Sequence, residues 1–228
     1  MDLATLRKSL QLLVKQNKHV GVAGMDKTCT GIILAGGQNS RFAGANKALM
    51  PIGEKPILDH IYGTFKELFQ AIILVTNDPA QYIEWDLNIV TDIFSIRSSL
   101  TGIQAGLFFA TTPYVFVAAC DTPFIKQALV QTILDNIEPH IDVVIPETVE
   151  GLEPLCSVYS KQCLKPITRQ MEKQELKINR VFQKLRIKKL SEQILRQHDP
   201  ELISFYNINT PEDLAKAQQM FDHINEKE

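Results

Sequence analysis

Short apolar runs alternate with segments of helical periodicity along the chain from Thr30 onward. The apolar runs predict strands, because a few consecutive apolar residues between turn signals suit a buried strand. They lie at residues 31–34, 71–76, 88–91, 114–119 and 141–145. Helices are predicted between them, at residues 56–69, near 101–110 and after Pro123. This alternation indicates an α/β fold with a mostly parallel central sheet that helices cover on both faces.

Weaker patterns flank this alternation. Residues 147–160 contain the turn signal Glu150-Gly151 between two strand-like pieces, and Thr210-Pro211 followed by acidic residues predicts a helix that runs to about His223. The spacing of leucines over residues 3–14 predicts a short basic amphipathic helix. Residues 1–27 are therefore expected to be an amino-terminal amphipathic extension, and residues 28–228 a single domain. Met25, just before the first strand, is a possible start of that functional domain.

Composition and charge narrow the class of protein. Of the 228 residues, 45% are hydrophobic and 22% are charged, which suits a globular protein with a large core. The 24 Lys and Arg residues and 26 Asp and Glu residues give a net charge of -2, which argues against binding to nucleic acid or an acidic membrane surface. No apolar run approaches the ~18 residues of a spanning helix, and the four cysteines lack zinc-ligand or disulfide spacing. A cytoplasmic protein is expected.

The loop after the first predicted strand, residues 35–47, has the residues of a phosphate-binding loop. Gly36 and Gly37 would let backbone N–H groups approach phosphate oxygens, while Arg41 and Lys47 supply positive charge. The loop matches neither the G-x-G-x-x-G dinucleotide fingerprint nor the Walker P-loop. Taken alone, it is equally compatible with a glycine turn that carries surface cations.

Three other predicted strands are followed by the polar residues Asn77, Asp92 and Asp121. Ligands of an open parallel sheet bind beyond the carboxyl ends of its strands, so these side chains are expected to converge with Lys47. Zinc chemistry and acyl transfer are not indicated, because the histidines share no metal spacing and no nucleophile elbow is present. Cys120 is expected to be an inert core thiol.

Asp121 has two interpretations. It is a magnesium ligand if the preceding loop holds a triphosphate, because Mg²⁺ binds phosphates together with one or two carboxylates. Alternatively Asp121 is only a capping residue, just before a helix that Thr122 can cap and Pro123 can start. The phosphate loop on another strand favours the metal ligand.

A series of short motifs, spread over residues 30–220, resembles the molybdenum cofactor guanylyltransferases, which are MobA-like nucleotidyltransferases. The motifs are Leu34-Ala35-Gly36-Gly37, Ser40-Arg41-Phe42, Lys47, Leu100-Thr101-Gly102, Cys120-Asp121-Thr122-Pro123-Phe124, Glu153-Pro154-Leu155 and Asn207-Ile208-Asn209-Thr210-Pro211-Glu212-Asp213-Leu214. The first loop alone is shared by nucleotidyltransferases in general, whereas the later motifs in this order are more specific.

The resemblance implies a three-layer Rossmann-like nucleotidyltransferase fold and transfer of GMP from Mg-GTP to the phosphate of molybdopterin, with release of pyrophosphate. It places nucleotide binding at Leu34, Ala35 and Gly36, phosphate binding at Lys47, and magnesium and nucleotide binding at Asp121. It adds nucleotide contacts at Asn77 and Asp92, and pterin-facing residues at Asn207 and Asn209. Gly37 of the first loop is a further candidate binding residue. The candidate catalytic residues are Lys47, Arg41 and Asp121.

The donor nucleotide is the least constrained part of this interpretation. Ser98-Ser99 stands before Leu100 where the guanylyl family usually has Gly-Pro, but Ala35-Gly36-Gly37 and Cys120 favour GTP over the CTP of the sister cytidylyltransferases. Two alternatives remain: a related nucleotidyltransferase with CTP or another phosphorylated acceptor, and a non-catalytic nucleotide or cofactor carrier. Expected partners are GTP and molybdopterin, with molybdoenzyme-specific delivery proteins as a further option, and neither nucleic acid nor membrane.

Overall fold

The computed structural model describes residues 29–36, 42 and 45–225. Within them, eight strands form one sheet in the order β10-β7-β9-β6-β1-β4-β5, with β8 paired to β7, and β2 and β3 form a small separate hairpin. The strands are β1 Cys29–Leu34, β2 Pro51–Ile52, β3 Lys55–Pro56, β4 Ile72–Val75, β5 Asn88–Val90, β6 Tyr114–Ala119, β7 Val143–Thr148, β8 Gly151–Leu152, β9 Cys156–Ser160 and β10 Ile187–Ser191.

Parallel pairing joins the four neighbouring strands β6, β1, β4 and β5. β1 pairs in parallel with β4 and β6, and β4 with β5, so four neighbouring strands end at one edge. β9 lies antiparallel between β6 and β7, while β10 joins β7 in parallel. The prediction of an α/β fold with a mostly parallel sheet is confirmed.

Helices cover both faces of this sheet, so successive residues of one strand enter different cores. The α-helices are α1 Ile57–Leu68, α2 Ser99–Phe109, α3 Gln127–Asp135, α4 Leu164–Glu172, α5 Ile178–Phe182, α6 Glu192–Leu195 and α7 Pro211–Asn225. Ile33 and Phe116 pack in one core with α1, α3 and residues of α7, whereas Ile32 and Val117 pack in the other with α2, α4 and α5. This is the three-layer arrangement that the uninterrupted apolar strands predict.

Glycine permits the closest approach of helix to sheet. A Cβ on Gly31 of β1 would lie 2.6 Å from Phe65 of α1 and 2.7 Å from Phe69 just after it, so both aromatic rings rest directly on the strand backbone. On the other face, a Cβ on Gly106 would lie 2.8 Å from Ile32. Both contacts bring helices onto the strand that leads into the candidate phosphate loop.

The predicted helix start at Thr122-Pro123 is wrong. The helix α3 begins at Gln127, with Lys126 as its N-cap. The Thr122 hydroxyl instead donates to the Ala119 carbonyl at 2.9 Å, so it serves the turn that follows β6 rather than capping a helix. Asp121 therefore lies in a loop, with five residues between it and the next helix.

Elsewhere, the predicted and observed elements overlap with shifted ends. The fifth predicted strand, residues 141–145, runs from Val143 to Thr148, and the predicted start of the last helix is confirmed, with Thr210 and Asp213 exchanging side-chain to backbone hydrogen bonds. The amphipathic segment at residues 3–14 lies outside the described residues. Within the described part of the chain, no helix has the length and apolar character that a bilayer crossing requires.

Candidate active site

The carboxyl ends of β6, β1, β4 and β5 lie side by side and hold the candidate site. The Leu34 carbonyl accepts a hydrogen bond from the Cys120 backbone N–H at 3.0 Å, and the Ala35 N–H donates to Val75 at 2.8 Å. The loops leaving β1, β4 and β6 are thereby tied together at their first residues. Since β4 and β6 lie on opposite sides of β1, this edge contains a point where the strand order reverses, the usual ligand site of such sheets.

Lys47 and Asp121 meet at this edge. Lys47 begins a single 3-10 turn, Lys47–Leu49, and its Nζ lies 2.6 Å from Oδ2 of Asp121. The same ammonium donates to the Ile208 carbonyl at 2.9 Å, while the Ile208 N–H donates to the Asp121 carbonyl at 3.0 Å. Three segments far apart in sequence therefore converge on one cation and one carboxylate.

Asp121 has one oxygen left for a ligand. Its Oδ1 is buried, and no described residue donates a hydrogen bond to it. A buried carboxylate oxygen without a partner is costly, and Mg²⁺ is a ligand that would satisfy it. Among the described residues, no group of three or more His, Cys, Asp or Glu side chains is placed to hold a metal. A magnesium ion here would thus take one protein carboxylate and complete its shell with phosphate oxygens and water.

Asn77 and Asp92 form a second polar pair, at the ends of β4 and β5. The Asn77 side-chain amide donates to Oδ2 of Asp92 at 2.7 Å, and the Asp92 backbone N–H donates back to the side-chain Oδ1 of Asn77 at 3.4 Å. Partial burial raises the pKa of Asp92, and the Asn77 hydrogen bond and the Arg97 charge oppose that rise. Gly36 belongs to the same region, because a Cβ on it would lie 3.7 Å from the Asn77 amide nitrogen.

The exposed side chains of Asn207 and Asn209 flank the buried Ile208 that contacts Lys47 and Asp121. The Asn207 amide donates to the Phe205 carbonyl at 3.1 Å, and the Asn209 backbone N–H donates to Asp213 at 3.0 Å. The first contact fixes a side chain and the second a backbone, and the two asparagines lie on either side of Ile208 in the chain. Gly37 and Arg41 lie outside the described residues.

The loop expected to meet the base begins at Ser98. Its hydroxyl caps α2 by accepting from the Thr101 N–H at 3.2 Å, and the Thr101 hydroxyl donates to the Ile96 carbonyl at 2.8 Å. Ser98 therefore has a structural role where a glycine would have none. Cys120 is a buried thiol as expected, and burial raises its pKa to about 12, so the thiol is protonated and unreactive.

Asn46 and Tyr82 are the residues that sequence patterns did not single out. Asn46 caps the turn that carries Lys47, accepting from the Ala48 N–H at 3.1 Å, and its amide donates to the Tyr82 hydroxyl at 2.8 Å. The capping preference of asparagine is a local signal for the first contact. No local signal marks Tyr82, which is 36 residues further along the chain.

Comparisons with known proteins agree with this geometry. The MobA-like NTP transferase domain family matches residues 31–190. The chain is 48% identical, over 83% of its length and 94% of the relative's, to the molybdenum cofactor guanylyltransferase of Desulfosudis oleivorans.

A solved structure, the molybdopterin-guanine dinucleotide biosynthesis protein A of Archaeoglobus fulgidus, superposes with a TM-score of 0.76. It is 26% identical, and the match covers 85% of this chain and 99% of that one. The family match includes the carboxyl ends of the four strands that meet at the site, and the loop that carries Asp121. The chain is a member of the MobA-like NTP transferase family.

Proposed function

We propose that this protein is a molybdenum cofactor guanylyltransferase, which transfers GMP from Mg-GTP to the phosphate of molybdopterin and releases pyrophosphate. The observation that carries the proposal is the contact of Lys47 with Asp121, whose second oxygen is buried and has no partner among the described residues. A cation and a metal-binding carboxylate at the carboxyl edge of a parallel sheet suit a bound triphosphate. The names of the relative and the solved structure described above point to the same reaction.

In this reaction the molybdopterin phosphate oxygen attacks the α-phosphorus of GTP in line. The bond from the α-phosphorus to the bridging oxygen breaks, and pyrophosphate leaves with that oxygen and its electron pair. Lys47 holds the phosphate oxygens and offsets the negative charge that develops on them. Asp121 would hold Mg²⁺, which supplies further positive charge at the phosphates. No protein nucleophile is required, so positioning and electrostatics provide the catalysis.

The remaining candidate residues divide between the two substrates. Leu34, Ala35, Gly36 and Gly37 would line the nucleotide's phosphates with backbone N–H groups, and Arg41 would add a second cation. The Asn77–Asp92 pair, at the ends of β4 and β5, would add further contacts to the nucleotide. Asn207 and Asn209, which flank the Ile208 that contacts Lys47, would contact the pterin.

GTP is the proposed donor, and the cytoplasm the proposed location. The guanylyltransferase relative supports GTP as donor. The loop that ends at Ser98, the N-cap of α2, supports a base site of fixed shape. All four cysteines are buried thiols, which suits a reducing compartment. Delivery proteins specific for molybdoenzymes are proposed as partners on the resemblance alone.

Purified protein, incubated with molybdopterin, Mg²⁺ and each of GTP, CTP and ATP in separate reactions, tests the proposal through pyrophosphate release. GTP should be the preferred donor, because a site built for one base leaves polar groups unpaired with another. Reactions without molybdopterin control for simple hydrolysis. Equal rates, or equal thermal stabilisation, with Mg-GTP and Mg-CTP would contradict the guanylyl assignment. Nucleotide binding without pyrophosphate release would indicate the carrier function instead.

A further inference from the structure

Tyr82 lies where three of the site's loops meet. It ends the 3-10 turn Pro79–Tyr82, between β4 and β5, and is 1% exposed. Its hydroxyl accepts a hydrogen bond from the Asn46 amide at 2.8 Å and is also hydrogen-bonded to Thr76, just after β4, while Cys120 at the end of β6 lies in the same core cluster. A buried hydroxyl is costly unless it is hydrogen-bonded, so this polar group needs these partners.

The Tyr82 side chain is held firmly on its other side. Its ring lies 6.0 Å, centroid to centroid, from that of Trp85, whose indole N–H donates to Asp59 of α1 at 2.6 Å. Burial raises the pKa of the Tyr82 phenol to about 12. The hydroxyl therefore stays neutral at physiological pH and remains available as a fixed hydrogen-bonding group.

The Asn46 side chain connects the Tyr82 hydroxyl to the turn that begins at Lys47. Its side-chain oxygen Oδ1 accepts from the Ala48 N–H at the start of the turn Lys47–Leu49, and its side-chain amide donates to both Gln81 at 2.6 Å and Tyr82. The orientation of the Asn46 side chain fixes the first peptide units of the turn, and with them the direction of the Lys47 side chain. The described contacts connect α1, through Trp85, Tyr82 and Asn46, to the lysine.

We propose that Tyr82 is a positioning residue that acts through Asn46 to aim Lys47 at the phosphates of the bound nucleotide. This inference rests on the phosphate-binding role of Lys47 in the proposed function. A phenylalanine ring would fill the same core volume, so the hydroxyl is the part of Tyr82 that this role requires. Its loss would leave the Asn46 amide nitrogen bonded to Gln81 alone and give Lys47 more freedom.

A thermodynamic cycle of Tyr82→Phe and Lys47→Ala tests this role. The dissociation constant of Mg-GTP is measured by calorimetry for the wild type, both single variants and the double variant. Loss of one neutral hydrogen bond should weaken binding about two- to tenfold in Tyr82→Phe. In the Lys47→Ala background the same substitution should have no further effect, because the group through which Tyr82 acts is gone.

Tyr62→Phe is the matched control. The Tyr62 hydroxyl donates to the Asp86 carbonyl at 3.3 Å from the exposed side of α1, so its removal should leave Mg-GTP binding unchanged. Asn46→Ser is a second variant, because serine can still cap the Ala48 N–H but is too short to keep the bond to Tyr82. Because it also loses the bond to Gln81, it should weaken binding at least as much as Tyr82→Phe does, and adding Tyr82→Phe to it should have no further effect.

An equal loss of Mg-GTP binding from Tyr82→Phe with and without Lys47 would overturn the proposal, since Tyr82 would then act elsewhere. Unchanged binding in both Tyr82→Phe and Asn46→Ser would overturn it too. Pyrophosphate release by the wild type with molybdopterin is recorded alongside. Its absence would reject the proposed reaction, whereas the binding cycle would still report whether Tyr82 acts through Lys47.

Discussion

Replacing Asp121 with asparagine separates a metal ligand from a residue that only pairs with Lys47. The substitution keeps the size of the side chain and removes its charge. In the structure Oδ2 contacts Lys47 at 2.6 Å, and the two side chains are 18% and 15% exposed, while Oδ1 is buried without a described partner. The amide can still accept from Lys47, so one charge-assisted hydrogen bond becomes a weaker one.

The expected effects on stability and on catalysis differ in size. Weakening a partly exposed pair should cost about 1 kcal/mol of unfolding free energy, equivalent to ~2–4 °C in melting temperature for a chain of this length. Loss of the magnesium carboxylate should reduce turnover by at least ~100-fold, which is ~2.7 kcal/mol in the barrier. The transition state needs this charge more than the folded protein does.

The assay is pyrophosphate release from GTP and molybdopterin over a magnesium titration, with melting curves on the same samples. Asp142→Asn is the control, because Asp142 also pairs with an arginine at 2.8 Å but lies at the start of β7, the opposite edge from Asp121. If Asp121→Asn keeps more than about a third of wild-type turnover at saturating magnesium, a change under ~1 kcal/mol, Asp121 is not the metal ligand. A loss of turnover with an unchanged magnesium requirement would assign Asp121 to Lys47 alone.

Three further predictions concern the fold. Gly31→Ala should destabilise the protein by about 1–3 kcal/mol, because the new methyl would lie 2.6 Å from an aromatic ring. Gly63→Ala in α1 has open space around the new methyl and should stabilise the protein by up to ~1 kcal/mol. Equal melting temperatures for the two variants would contradict the packing. The hydrogen bond from Arg186 lowers the pKa of Asp142 below its usual 3.8, so the native state binds fewer protons there than the unfolded state; the stability that Asp142 contributes is full above pH 3.8 and is lost as pH falls through the lowered pKa. Thermal melts in acid should therefore show the wild type losing its advantage over Asp142→Asn, and a constant difference would refute the pairing. A chain that starts at Met25 should fold and keep activity, since the family match begins at residue 31; loss of soluble protein on that truncation would show that the preceding residues complete the core.

Elements buried on both sides could be predicted closely from sequence. β6 was predicted at its observed ends, Tyr114–Ala119, because an uninterrupted apolar run has few alternatives to a covered strand. β10, Ile187–Ser191, was missed, since it is an edge strand whose Lys188 and Lys189 hide the apolar pattern. The start of α3 was misplaced because Thr122 and Pro123 have a helix-start signature that the turn after β6 uses differently.

The candidate site was predictable in its strand ends but not in its long-range contacts. Glycines, Lys47 and Asp121 follow apolar strands, and the topology of a parallel sheet brings such ends to one edge. The contact of Lys47 with Ile208 spans 161 residues, and Tyr82 has no local sequence pattern of a functional residue. Such contacts depend on how whole elements pack, which periodicity and motif spacing do not encode.

The most direct test of the proposed reaction follows the phosphorus atoms of GTP. Wild-type protein is incubated with molybdopterin, Mg²⁺ and GTP that carries a radioactive label on either the α- or the γ-phosphorus, and the products are separated. Attack at the α-phosphorus predicts that the α-label appears in a pterin guanine dinucleotide and the γ-label in pyrophosphate. A γ-label on the pterin, or both labels retained on unreacted GTP, would contradict nucleotidyl transfer.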